Sequence, residues 1–456
     1  MNTGLMPYQQ LALIISIVCV MTTLTTKAFA EDKPQSLVEI YSKALAYDPT
    51  LASALTANKA IQEIIEQAKA LYRPMVNFTA GANVSRSNIK FIGTEIPFNG
   101  GVQSFEGYNY GVEVRQPLYR KQNLVQIDQA KTQVSQADKQ LHLSQQELIL
   151  RTTQTYFDVL ITQDKVDLIA AQKESILSQL NQAKTNFEAG TVTITDVNEA
   201  QARYDLIVAQ EIGAINEHQI AMRTMQAITG ETPQQLATVK ADIKTNALEQ
   251  GMEKWLDVAL QNNLSIKVQE DLVQLSDQES ERAQAGHLPT LDAVASYNDS
   301  YANGGFYGFG NELKNATIGV QLQIPLYEGG STSSHARQAV LGKQKARNDL
   351  DIARRKIELD TQRAYLNLST SIAQVKAYEQ ALTSSQSQID STKIGYEVGV
   401  RTIVDVLNAQ QQFFGAKRDL LQARYSYLVS IIRLKFISGI VAETDLIDIN
   451  QQLAVN

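Results

Sequence analysis

The chain has 456 residues, of which 44% are hydrophobic and 20% charged, and its net charge is −7 at pH 7. That balance supports a folded chain and lacks the basic excess of a general nucleic-acid binder. Cys19 is the single cysteine, and none of the four histidines (His142, His218, His287, His335) has metal-ligand spacing, so disulfide scaffolds, thiol catalysis and Cys-ligated metals are excluded.

Leu11 to Met21 is an apolar run interrupted once, by Ser16, and it ends in Lys27-Ala28-Phe29-Ala30. The run is too short to span a bilayer and is followed by a small-x-small cleavage pattern, which predicts a signal peptide over 1–30, cleaved after Ala30. Residues 1–10 carry no Lys or Arg, so the amino terminus alone supplies the positive end; the alternative is an uncleaved anchor. No later stretch is apolar for 18 residues.

The remainder is written twice. Phe187 to Val197 and Tyr396 to Val406 share Glu, Gly, Thr, Ile, Asp and Val at an offset of 209, as in Asp196 and Asp405. The same offset pairs Tyr156 with Tyr365, and an offset of 208 pairs Pro117-Leu118-Tyr119 with Pro325-Leu326-Tyr327. A constant register across most of the chain predicts a tandem duplication: a first repeat over 31–245, a second over 246–445 and a tail over 446–456.

Each half reads helix, strand, loop, strand, long helix, short turn, helix. Period-2 alternation predicts strands over about 75–86 and 107–118, then about 290–300 and 315–326. Val76, Phe78, Ala80, Ala82 and Val84 alternate with Asn77, Thr79, Gly81, Asn83 and Ser85; Ile318, Val320 and Leu322 alternate with Thr317, Gly319 and Gln321. Strands of this length, with one apolar and one polar face, suit an outer-membrane barrel, although a soluble sandwich with one wet face has the same pattern. Four strands cannot close a barrel, so the chain either leaves open edges or shares a barrel between protomers. The polar loops over 86–106 and 300–315, the second with Gly304-Gly305-Phe306-Tyr307-Gly308-Phe309-Gly310, read as surface tips.

Long helices are predicted over about 119–187, 192–229, 330–396 and 402–437. Tyr119 to Ala189 holds no Pro or Gly, roughly 100 Å of helix at 1.5 Å per residue. Leu368, Val375, Leu382, Ile389 and Tyr396 recur every seventh residue, and Val166, Ile169, Ile176, Leu180 and Ala183 fit a coiled-coil seam broken by Lys173. Turns at Glu188-Ala189-Gly190-Thr191 and Glu397-Val398-Gly399-Val400 fold each long helix back on a partner. A membrane barrel continued by a helical tube accommodates both strands and helices, with the hairpin tips far from the membrane.

Gly286-His287-Leu288-Pro289-Thr290-Leu291, Pro325-Leu326-Tyr327-Glu328-Gly329-Gly330 and the two hairpin turns through Asp196-Val197 and Asp405-Val406-Leu407 together resemble the TolC family of outer-membrane efflux and secretion channels, over nearly all of 36–445. The resemblance implies an α+β membrane protein. Four strands from each of three protomers would make a twelve-stranded barrel, continued by a periplasmic coiled-coil tunnel. It implies a homotrimer in the outer membrane of a Gram-negative bacterium, contacting lipid. A periplasmic adaptor protein would dock on the tips at Gly190, Thr191, Gly399 and Val400, with an inner-membrane transporter supplying energy. It implies no enzyme activity and no cofactor, metal or nucleic acid, and the chain shows no catalytic constellation of its own. The alternative is a non-pore periplasmic coiled-coil structural or adaptor protein.

By the same resemblance, Asp405 occupies the first of two acidic positions at the pore entrance. The second is Asn408, which halves the formal charge there. Three copies of Asp405 would form a cation-favouring ring; alternatively Asp405 is an N-cap-like residue starting a helix. Entrance links are implied between Thr195, Asp196 and Tyr396, between Asp196 and Arg401, and between Gln179 and Lys393, where the family has an acid in place of the lysine. The plainer reading is that these polar residues solvate a helix end.

Overall fold

The computed structural model describes residues 34–92, 100–240, 243, 245, 250–305 and 309–454. The expected signal peptide and the tips of both strand-connecting loops lie outside the described residues.

The chain opens with α1 (Leu37–Tyr47) and α2 (Pro49–Ala70), then β1 (Met75–Ile89), β2 (Gly101–Tyr119), the long α3 (Lys121–Glu188) and α4 (Ile194–Thr229). After the short β3 (Thr238–Val239) come α5 (Met252–Asn262), α6 (Leu264–Gln284), β4 (Thr290–Ala302), β5 (Asn311–Gln323), the long α7 (Ser331–Glu397) and α8 (Ile403–Ile437). The chain finishes with α9 (Glu443–Asn450) and β6 (Leu453–Ala454). Among the described residues no helix is long and apolar enough to cross a membrane.

The four long strands form one antiparallel sheet in the order β1-β2-β4-β5. Residues directly opposite in such a sheet share a face. The register therefore sets Phe78, Val112, Tyr297 and Ala316 in one row, and Val76, Val114, Ala295 and Ile318 in the next. Polar partners such as Asn77, Glu113, Ser296 and Thr317 line the opposite face. These rows are largely exposed, Ile318 at 88% and Phe78 at 68%, so this side of the sheet carries an apolar belt; the next row outward on the same side sets Ala80 and Tyr110 beside Asp299 and Lys314, with the Tyr110 hydroxyl donating to Asp299 at 2.8 Å. Tyr108, Tyr110, Tyr297 and Tyr301 cluster toward its outer end, Tyr108 stacking on Tyr301 with ring centroids 5.1 Å apart. From Leu291 to Tyr297 the apolar belt rises about 15 Å for a strand tilted about 40°, with the tyrosine cluster and the Asp299 row beyond it. β1 and β5 are each left with one unpaired edge.

The first hairpin is longer than its apolar stretch: the ladder runs from Met75 opposite Arg115 to Ile89 opposite Gly101. Backbone pairing continues where both faces are polar, so much of the expected 86–106 loop is strand. β5 spans Asn311–Gln323, and the chain leaves the sheet before Pro325, whose ring removes a ladder donor. Pro117 has the same effect at the register shift between β2 and β4. Just below the sheet the Arg120 guanidinium grips Asp292 with two bonds, and Gln116 donates to the Tyr72 carbonyl at 2.7 Å, tying strand ends to helix starts.

Two apolar cores hold the helices. The larger gathers Leu37, Ile40, Tyr156, Phe157, Met225, Leu428 and Ile432. The segment expected as a tail belongs to it: Leu446 and Ile449 of α9 and Leu453 of β6 are all buried, and β6 pairs with β3. The helix α9 runs through position 445, where the second repeat is expected to end, with Leu446 and Ile449 on its buried face and Leu453 in the strand that follows. The smaller core lies toward the hairpin turns. Within the seams, Ile176, Leu180 and Ala183 are buried, as are Leu368, Val375 and Ile389. Lys173 is accommodated by an ion pair with Glu211 at 2.6 Å.

Candidate functional site

The two turns joining α3 to α4 and α7 to α8 are built alike. Each long helix ends on a left-handed glycine, Gly190 (φ 74°) and Gly399 (φ 79°), a conformation that costs a residue with a Cβ about 1–2 kcal/mol. The next amide reaches back across the turn: Thr191 N–H donates to Asn186 O, and Val400 N–H to Gly395 O, both at 2.9 Å. These close the exposed carbonyls of the helix ends. The return helices begin with a capping box, Thr193 with Asp196 and Thr402 with Asp405. The Asp196 Oδ2 accepts from the Thr193 amide and hydroxyl at 2.9 and 2.8 Å. The Asp405 Oδ2 accepts the same pair from Thr402, each at 2.9 Å. Each aspartate thus stands at the third helical position, with the threonine as N-cap. Those two bonds, with the nearby Arg401 cation, hold the Asp405 carboxyl below the usual carboxylate range.

The two hairpins meet through the smaller core. Ile403 and Leu407 of α8 sit against Ile169, Ile176 and Leu180 of α3 and against Ala200, Ile207 and Ala214 of α4, with Tyr396, Val404 and Tyr204 at its margin. Polar contacts surround it. Asn186 Nδ2 donates to the Tyr396 hydroxyl at 3.3 Å, and Gln410 Nε2 to Ser175 Oγ at 2.7 Å. The Arg203 guanidinium uses Nε on Glu199 at 3.1 Å, Nη1 on the Gln411 side-chain oxygen at 2.7 Å and Nη2 on that of Asn408 at 2.9 Å.

Within the protomer the Tyr396 hydroxyl therefore meets Asn186 and not Asp196, whose carboxylate is turned into its own helix cap. Thr195 and Arg401 are exposed; the Arg401 stem crosses Gly395, where an added Cβ would lie 2.8 Å from Arg401 Cγ. Gln179 is buried with its Oε1 unpartnered among the described residues, and Lys393 is exposed. Thr191 and Val400 stand out in solvent at the tips. Sequence reasoning missed Arg203, Gln410, Asn186 and Gly395. The only available signal was polar residues at heptad positions facing the seam, which a solvated helix face also shows. No cluster of three or more metal-ligating side chains occurs among the described residues.

An apolar-faced sheet with open edges, set at one end of two long helical hairpins, defines a membrane channel-type architecture. The family model described as outer membrane efflux protein matches residues 40–231 and 255–440. The chain belongs to that family, whose members are outer-membrane channels and not enzymes, and its place is the outer membrane of a Gram-negative bacterium. It is 34% identical to outer membrane protein TolC of Vibrio cholerae over 95% of this chain and 96% of the relative. It is 30% identical to TolC of Escherichia coli over 92% and 85%, and 28% identical to the proteases secretion protein PrtF of Dickeya chrysanthemi over 91% and 90%. In fold it is similar to the Campylobacter jejuni CmeC outer membrane channel, with a TM-score of 0.75 at 15% identity over 94% and 92% of the two chains.

Proposed function

We propose that this chain forms the passive exit duct of an export machine, three copies closing one twelve-stranded barrel above a common helical tunnel. The observation that carries the reading is the sheet. Its register gathers the apolar rows through Val76 and Phe78 on one side and leaves one edge each of β1 and β5 free. Four strands are too few to close, and unpaired edges demand partners. Edge-to-edge pairing of β5 with β1 of the next copy satisfies both and turns hydrocarbon outward to lipid. The recurring element order and the two-part family match support an origin by tandem duplication.

In this reading an inner-membrane transporter supplies the energy. A periplasmic adaptor engages the tips at Gly190, Thr191, Gly399 and Val400, which suit docking because they are exposed turns. Cargo is small toxic compounds and, by likeness to the secretion proteins, exported polypeptide. The entrance lies at the tips, ringed by Asp405, and opens as the second hairpin of each protomer untwists away from the first. Thr195, Asp196, Tyr396, Arg401, Gln179 and Lys393 restrain that movement, Asp196 and Arg401 between neighbouring protomers. The non-pore adaptor alternative gives no role to an exposed apolar belt edged by tyrosines.

The test is to measure the mass of the detergent-solubilised protein and its conductance in planar bilayers. A trimer giving discrete cation-favouring channels is expected; a stable monomer with full β content would defeat the shared barrel.

A further inference from the structure

We infer that Arg203 is a latch between the two hairpins of one protomer, and that it masks position 408 of the entrance from permeating ions. The geometry is specific. Asn408 and Gln411 lie one helical turn apart on α8, and their side-chain oxygens accept from the two terminal nitrogens of one guanidinium on α4, at 2.9 and 2.7 Å. Glu199, one turn before Arg203 on the same helix, takes the remaining Nε at 3.1 Å. All three nitrogens are therefore committed, and the planar fork is aimed across the hairpin boundary. Glu199 is a positioning residue: it fixes the plane in which the fork meets α8. The Arg203 side chain is only a quarter exposed. It flanks a groove of about 460 Å³ between the hairpins, which Ile207, Leu407 and Phe414 also line.

Two consequences follow, both resting on the channel reading proposed above. Moving the second hairpin off the first must break the fork, so Arg203 opposes opening beside the apolar seat of Ile403 and Leu407. An acid placed at 408 would meet a guanidinium already pointing at it, so its charge would be neutralised before it could act on ions in the pore.

The test uses the assembled full-length protein. Cys19 is the only natural cysteine, so spin labels at Thr191→Cys and Val400→Cys report the separation of the two tips without conduction. Arg203→Gln should broaden that distance distribution toward longer values, and Arg203→Lys, which keeps the charge but loses the fork, should do so partly. In bilayers the open fraction of Arg203→Gln should rise about fivefold or more, since bonds to a charged group are being removed. Asn408→Asp should leave block by divalent cations nearly unchanged while Arg203 is present and deepen it severalfold in the Arg203→Gln background; taking the difference removes the effect of the freed Glu199. Unchanged tip distances in an assembled Arg203→Gln trimer, or equal deepening of block with and without Arg203, would overturn the inference. If the wild-type protein forms no conducting channel while the tips still separate in Arg203→Gln, the latch stands and the channel reading falls.

Discussion

Leu407→Ala tests what keeps the entrance shut. Leu407 is 2% exposed and, with Ile403, is the part of α8 that reaches into the smaller core. Burial of this kind costs about 2–5 kcal/mol when a leucine is cut to alanine. The groove of about 460 Å³ beside it, partly lined by Leu407, lets water reach part of the vacated space, which favours the lower half, about 2–3 kcal/mol. A polar link at the half-exposed margin contributes about 1 kcal/mol or less. Apolar packing should therefore dominate closure, and about 2 kcal/mol per protomer is roughly a thirtyfold shift in a two-state equilibrium. The larger core around Tyr156, Phe157 and Ile432 is untouched, so the trimer should still assemble. Single-channel recordings should show a markedly larger open fraction than any single polar substitution produces. A correctly assembled Leu407→Ala trimer with wild-type conductance would refute the reasoning, since the seat of α8 would then not be broken on opening.

Three further outcomes are expected. Asp405→Ala should reduce cation selectivity and divalent block; because hydrogen bonds from Thr402 depress the Asp405 carboxyl, wild-type selectivity should persist as pH falls through the ordinary carboxylate range near about 4 and be lost only below it, and selectivity unchanged in the variant would remove Asp405 from the pore wall. Tyr396→Phe with Arg401→Ser should raise conductance modestly, by less than Leu407→Ala; an effect equal to or larger than that of Leu407→Ala would reverse the ranking of polar and apolar restraint. Tyr425→Phe should lower the melting temperature of the trimer at neutral pH, because the Tyr425 hydroxyl bonds the half-buried Asp164 carboxylate, a bond to a charged group worth about 1.5–3 kcal/mol. Burial raises the Asp164 pKa, with Asp167 adding to the rise and Tyr425 and Lys417 opposing it. A raised carboxyl is better tolerated below its folded pKa, so the deficit should shrink as pH falls through that value; a deficit constant with pH would separate it from Asp164 ionisation.

What the sequence made legible were features carried by period and punctuation. Alternation in Val76 to Val84 and Ile318 to Leu322 reports which side of a strand is apolar, and Gly190 and Gly399 mark turns because few other residues accept their backbone angles. The packing of the end of the chain was not legible because Leu446, Ile449 and Leu453 make too short a periodic stretch to announce a helix and a strand; their burial comes from α1 and the β3 pairing, which are distant in sequence. The cross-hairpin contacts were hidden for a related reason. Arg203 resembles any surface arginine, paired at i−4 with Glu199, until the fold brings Asn408 and Gln411 opposite it. The resemblance to a family singled out Asp405 and Asn408 but carried a pattern in which position 408 is acidic, so it held no information about a basic partner on α4.

The structure shows Asp405 as a helix cap, and the atoms it uses leave the proposed pore ring compatible with that role. An ionised carboxylate offers about four lone-pair sites on two oxygens. In both hairpins the cap bonds from threonine fall on Oδ2 alone. The Oδ1 atoms of Asp196 and Asp405 accept no hydrogen bond among the described residues. The cap thus fixes the orientation of each carboxylate without consuming it: in the trimer proposed above, the free oxygen of Asp405 would be available to cations and that of Asp196 to Arg401 of a neighbouring protomer. Thr-x-x-Asp at both tips starts the return helix and aims a charge in one step. Replacing either threonine by valine should therefore disturb function through the aspartate three residues later. Thr402→Val should shift the pH at which cation selectivity is lost upward, toward the ordinary carboxylate range, while leaving the number of charges unchanged. Valine keeps the backbone amide bond to Asp405 and removes only the hydroxyl bond, so titration of selectivity identical to wild type in Thr402→Val would show that the threonine hydroxyl does not set the state of the ring.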